Sequence, residues 1–154
     1  KIIFVNLGKQ LIFDLQVTLQ VNANCKCKLI NQSNDFSGQY DMYFLEAENF
    51  SLLEGLNIDM FFNVASMQEM NKAIVDKYFE YMRTSIAKNI YFYCCNRVLK
   101  SLPDGEEIIF DNYHWNDCTV FKEREPKWYQ YYPSQTPPFW KPFDGRFKEK
   151  VIKF

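Results

Sequence analysis

The sequence predicts an α/β domain: a largely parallel sheet with helices on both of its faces. Three observations carry that prediction. Short apolar runs such as IIFVN and IDMFFNVA have the length and composition of buried strands. Two longer segments place apolar residues at helical spacing: Leu11, Ile12, Leu15 and Leu19 in one, and Ile74, Val75, Tyr78, Phe79, Met82 and Ile86 in the other. The two kinds of segment alternate along the chain, the order that lays crossover helices over parallel strands.

The elements follow in turn. A strand at Ile2 to Asn6 ends in Leu7-Gly8, where glycine accepts a turn conformation that side chains resist. Lys9 to about Val21 reads as the first helix. Asn22 to Gly38 is polar and turn-rich, with a short strand at Lys26 to Ile30. Tyr40 to Leu45 reads as the second main strand and Ile58 to Ala65 as the third. The second helix is predicted over Asn71 to Ala87, and a fourth strand over Ile90 to Cys95. Pro103-Asp104-Gly105 marks a turn, and Glu107 to Phe110 and Thr119 to Lys122 are further, antiparallel strands. Ser66-x-x-Glu69, just ahead of the second helix, has the form of a capping box: a serine hydroxyl accepting from the Glu69 amide and the glutamate reaching back.

Composition narrows the classes of protein. Across 154 residues, 47% are hydrophobic and 18% aromatic, which excludes a disordered chain and suits one domain. No apolar run approaches the roughly 20 residues that cross a bilayer, and no signal-peptide pattern occurs. The five cysteines form no CxxC pair, and there is one histidine, so no metal site is predicted; reduced thiols point to the cytoplasm. The net charge of −1 conceals an asymmetry: residues 122–154 hold eight basic against four acidic residues. That excess suits an anionic, phosphorylated or nucleotide-linked ligand, whereas the basic residues are too scattered for a nucleic-acid footprint. The chain accordingly divides into a domain over 1–121 and an aromatic, basic extension over 122–154 that packs on it.

Ligands of open parallel sheets bind beyond the carboxyl ends of the strands. Here those ends carry Asn6 and Leu7, Glu46, Asn63 and Ala65, and Asn96 and Arg97. Asn63 is an amide at the end of an otherwise apolar run, and Gln68 stands close behind it; the capping box accounts for neither. His114 lies in the polar run Asp111 to Asp117, flanked by Tyr113 and Trp115.

FFNVASMQEM, the helix containing Tyr78-Phe79, and NIYFYCCNR together resemble the sugar O-methyltransferase family. The likeness covers roughly residues 1–115, with SMQEM and YFYCCNR its most specific parts. It implies the Rossmann-like class I methyltransferase fold, the cofactor S-adenosylmethionine, and methyl transfer to a sugar hydroxyl in surface-polysaccharide biosynthesis. The acceptor would be a sugar, a nucleotide-sugar or a polysaccharide. On that resemblance Asn6, Leu7, Glu46, Asn63 and Ala65 face the cofactor. Gln68, Asn96, Arg97, Tyr113 and Trp115 face the acceptor, and His114 or Glu69 serves as the base. Two departures stand out. All five glycines are isolated, with no GxG, so the glycine-rich loop of such enzymes would lie upstream and the fold would be incomplete at its N-terminus. Asn6 also stands where an acidic residue usually holds the ribose. The activity is therefore expected of the complete protein, with weak cofactor binding by residues 1–154 alone. A reading from another class is a non-catalytic methyltransferase-like module that binds a partner or self-associates through its aromatic tail.

Overall fold

The computed structural model describes residues 1–84 and 90–154. The chain divides into two units, Lys1–Gly55 and Leu56–Phe154.

In the first unit, β1 (Ile2–Asn6), β2 (Cys27–Ile30) and β3 (Met42–Glu46) form a parallel sheet with β3 in the middle. β-branched and aromatic side chains favour this pleated, half-buried surface. Helix α1 (Gly8–Val21) follows β1 directly and buries Leu11. It ends at Asn22, whose amide donates to the Thr18 carbonyl at 2.9 Å.

In the second unit, β4 (Met60–Val64) runs parallel to β5 (Tyr91–Arg97), with α2 (Lys72–Thr84) on the connection between them. The predicted end of this helix, and Ile86 with it, lie outside the described residues. Two hairpins follow: β6 (Leu99–Ser101) with β7 (Glu107–Ile109), and β9 (Tyr131–Pro133) with β10 (Trp140–Pro142). β8 (Thr119–Arg124) and β11 (Phe147–Lys153) complete the main sheet, in the order β4-β5-β11-β8, with β11 antiparallel to both its neighbours.

The core lies on one face of that sheet. Val75, Phe79 and Met82 of α2, at i, i+4 and i+7, pack with Phe92, Cys94 and Ile152 of the strands and with Ile108 and Phe110. The ring of Phe79 meets those of Phe92 and Trp115 edge-on, at 5.7 and 5.1 Å between centroids. The opposite face is covered by chain from the tail. Trp128 donates to Tyr93 and Glu149, and Tyr129 packs edge-on against Phe147 at 5.0 Å.

The largely parallel, Rossmann-like sheet with helices on both faces is therefore not formed. Among the described residues the strands fall into four small sheets, and parallel pairing is confined to β1-β3-β2 and β4-β5. The physical cause is β11. This tail strand takes the hydrogen-bonding edge of β5 in antiparallel sense, which closes β5 to a further parallel neighbour. The predicted capping box is absent too. Ser66 makes no side-chain capping bond. The Asn71 side chain instead accepts from the Ile74 amide at 3.0 Å at the start of α2.

Candidate functional site

The carboxyl ends of β4 and β5 lie side by side, with Asn63 paired to Cys94 and Val64 to Cys95. Past Val64 the chain turns at Ala65, whose φ of 53° lies in the left-handed region that costs a residue with a Cβ. The turn is held by the Ala65 amide, which donates to the Cys95 carbonyl at 2.8 Å. Residues 67–69 then form one 3-10 turn packed against the end of β5.

Side-chain amides tie this turn to both strands. Asn63 Oδ1 accepts from the Met67 amide at 3.0 Å and from Asn96 Nδ2 at 2.9 Å. Asn96 Oδ1 accepts from the Gln68 amide at 3.1 Å, and Gln68 Oε1 accepts from the Arg97 amide at 2.7 Å. Gln68 Nε2 donates to Glu69 Oε1 at 3.0 Å, and Lys100 pairs with the same oxygen at 3.2 Å. Asn96 is fully buried and Gln68 is 5% exposed. Buried amides are costly unless their donors and acceptors are matched, and here they are matched to one another. The network therefore fixes the backbone of residues 65–69 and 96–97 in one arrangement. It joins the two segments SMQEM and YFYCCNR into one buried, hydrogen-bonded unit.

His114 follows a 3-10 turn at Phe110–Asn112. Its Nε2 lies 2.9 Å from Asp76 Oδ1 on α2, and Asp76 also accepts from Lys72 at 2.5 Å. A carboxylate on Nε2 places the ring proton there and leaves Nδ1 as the basic nitrogen. The His114 carbonyl accepts from Arg83. Asp76 was not among the residues singled out from the sequence; no motif or spacing connects a helix carboxylate with a histidine in a distant loop. Among the described residues no hydrogen bond or ion pair joins His114 to the Gln68–Asn96 network.

The two aromatic neighbours of His114 are packed. Tyr113 is 7% exposed, and burial pushes its phenol well above the usual range. Trp115 packs against the core, donates from Nε1 to the Phe110 carbonyl at 2.8 Å, and carries the Lys150 ammonium over its ring at 4.5 Å.

Asn6, Leu7 and Glu46 belong to the first unit, and Asn63 and Ala65 to the second. The Asn6 side chain donates to Asp14 at 2.9 Å and accepts from the Leu7 amide at 2.9 Å, so both ends of its amide are engaged. Glu46 stands opposite Asn6 in the β1–β3 register, is exposed, and lays its carboxylate against Gly8 at the start of α1, where a Cβ would come within 2.7 Å of Oε1. A surface depression of about 500 Å³ also lies in the first unit, lined by Lys1, Ile2, Lys26, Gln39, Tyr40 and Asp41, and includes none of these residues.

Among the described residues no group of three histidine, cysteine or acidic side chains is placed to hold a metal. No helix among them is long and apolar enough to cross a membrane. No protein-family model matches the chain, and no curated protein matches it.

Proposed function

We propose that the complete protein carrying these residues methylates a sugar hydroxyl from S-adenosylmethionine, in the cytoplasm and on the route to a surface polysaccharide. The observation that carries this proposal is the amide network. The segments that resemble the sugar O-methyltransferases are the ones that Asn63, Gln68, Asn96 and Arg97 knit together at the carboxyl ends of two parallel strands. Residues rather than sheet architecture support it. The five free cysteines support the cytoplasmic placement.

When bound, the cofactor supplies an activated methyl group; the chain supplies position and a base. The rigid turn at residues 65–69 orients the acceptor, and orientation is the larger part of what such a transfer needs. His114, held by Asp76 with Nδ1 as the basic nitrogen, takes the hydroxyl proton. Glu69 is the weaker candidate, because its carboxylate is engaged by Lys100 and Gln68.

The test uses the complete gene product, methyl-labelled cofactor and a panel of free, phosphorylated and nucleotide-linked sugars. Label on a sugar oxygen is expected. Label on none of the panel contradicts the proposal and favours the second reading, a non-catalytic binding or self-associating module. Exposed Phe139 and Trp140, the latter 66% exposed, favour that reading, and a dimer in sedimentation that dissociates in Trp140→Ser would support it.

A further inference from the structure

We infer that Arg97 reads an oxyanion, a phosphate or a carboxylate, carried by the acceptor, an inference that rests on the acceptor-side reading of the Gln68–Asn96 network. The chain has four arginines, and three have oxygen partners. Arg83 donates to the carbonyls of His114 and Asn116, Arg124 to Glu149, and Arg146 to Glu125. No oxygen among the described residues accepts from the Arg97 guanidinium, and its Nε is buried with no partner. A buried donor left unmatched is costly, and a guanidinium is a poor candidate to leave so. Two other buried atoms share that state, Arg83 Nε and the Tyr113 hydroxyl. Arg83 is nevertheless anchored through Nη2, and Tyr113 is enclosed in the core.

The surroundings hold the Arg97 fork in place without neutralising it. The guanidinium lies over the Phe147 ring, 5.5 Å from its centroid, on the adjacent position of β11. Nη1 rests against Gly145, where a Cβ would come within 3.2 Å and where φ is +91°. Two carboxylates of this part of the sheet are committed elsewhere, Glu149 to Lys122 and Arg124 and Glu125 to Arg146, and no ion pair joins Arg97 to the exposed Asp144 beside Gly145 among the described residues. The Arg97 backbone is itself pinned by Gln68. An aromatic-stacked, preoriented guanidinium with free donors matches the bidentate geometry of phosphate or carboxylate. Its backbone links it to the Gln68–Asn96 network, and its guanidinium lies on the β11 side of β5.

The experiment follows the side-chain Nε–Hε resonance of Arg97 in the ¹⁵N-labelled chain at pH 6, assigned by its loss in Arg97→Lys. Inorganic pyrophosphate and glucuronate are titrated separately. A saturable shift of that resonance is expected with one of them, pyrophosphate indicating a phosphorylated acceptor and glucuronate a uronic acid. Loss of the pyrophosphate- or glucuronate-induced thermal stabilisation in Arg97→Gln, with an unchanged melting temperature in plain buffer, would agree. No shift with either anion overturns the inference, and the wild-type titration decides this even if the variants fail to fold. Because binding is read without methyl transfer, a shift in a protein that methylates no sugar would remove the proposed activity and leave the anion site standing. Sugar methylation without any shift would do the reverse.

Discussion

Glu149 is a heavily engaged side chain of the second unit. It is buried, and its carboxylate accepts from Lys122 at 2.8 Å, Arg124 at 2.6 Å, Tyr93 at 2.8 Å and Trp128 at 3.2 Å. Burial alone would raise its pKa, but hydrogen bonds from Lys122, Arg124, Tyr93 and Trp128 outweigh that and hold it down to about 2. The folded pKa lies below the ordinary 4.5, so the unfolded chain binds the extra proton in between. The stabilisation is thus present above about pH 4.5 and is lost as pH falls through about 2. Glu149→Gln should lower stability at pH 7 by roughly 1.5–3 kcal/mol, the usual range for hydrogen bonds to a charged group. Denaturant midpoints of both proteins, measured at pH 7, 4 and 2.5, should converge as the pH falls. A gap that stays constant would show that the charge contributes nothing.

At the scale of elements, the start of α2 decides between two caps. Asn71, not Ser66, satisfies a first-turn amide, so Asn71→Ala should cost roughly 0.5–2 kcal/mol. Ser66→Ala should stay within about 0.5 kcal/mol, as at other exposed positions; the opposite order in chemical denaturation would restore the serine cap. The strands and helices with strong local patterns were legible: β1, α1, β3, β4, α2 and β5 all lie where apolar runs and helical spacing put them. β11 was not, because FKEKVIK sets three charges in a row, Lys148-Glu149-Lys150, and lacks the alternation of a half-buried strand. Glu149 and Lys150 are buried only because distant partners neutralise them, Lys150 through Glu123 at 3.0 Å. The capping box failed because the Glu69 amide donates to the Ser66 carbonyl at 3.0 Å rather than to its hydroxyl, while the Glu69 carboxylate is taken by Gln68 and Lys100.

At the scale of the whole molecule, sheet order depends on pairings between residues far apart in sequence, which local periodicity does not encode. That is why a largely parallel sheet was expected and a tail strand entered it instead. The candidate site was legible in part: Asn63, Gln68, Asn96 and Arg97 belong to one network, while Asp76, which holds His114, gave no signal. The residues expected from the resemblance to face the cofactor divide between two units, and Asn6 spends its amide on Asp14 and Leu7. Titration calorimetry of residues 1–154 with S-adenosylmethionine should therefore show no saturable heat in the micromolar range, and tight stoichiometric binding would contradict this. The most direct test of the proposed activity is steady-state methyl transfer by the complete gene product and its His114→Gln variant. A base held by Asp76 predicts a fall in kcat of about 10²-fold or more, with the KM for S-adenosylmethionine little changed. Near-normal turnover in His114→Gln, or transfer to no sugar by the wild type, would contradict it.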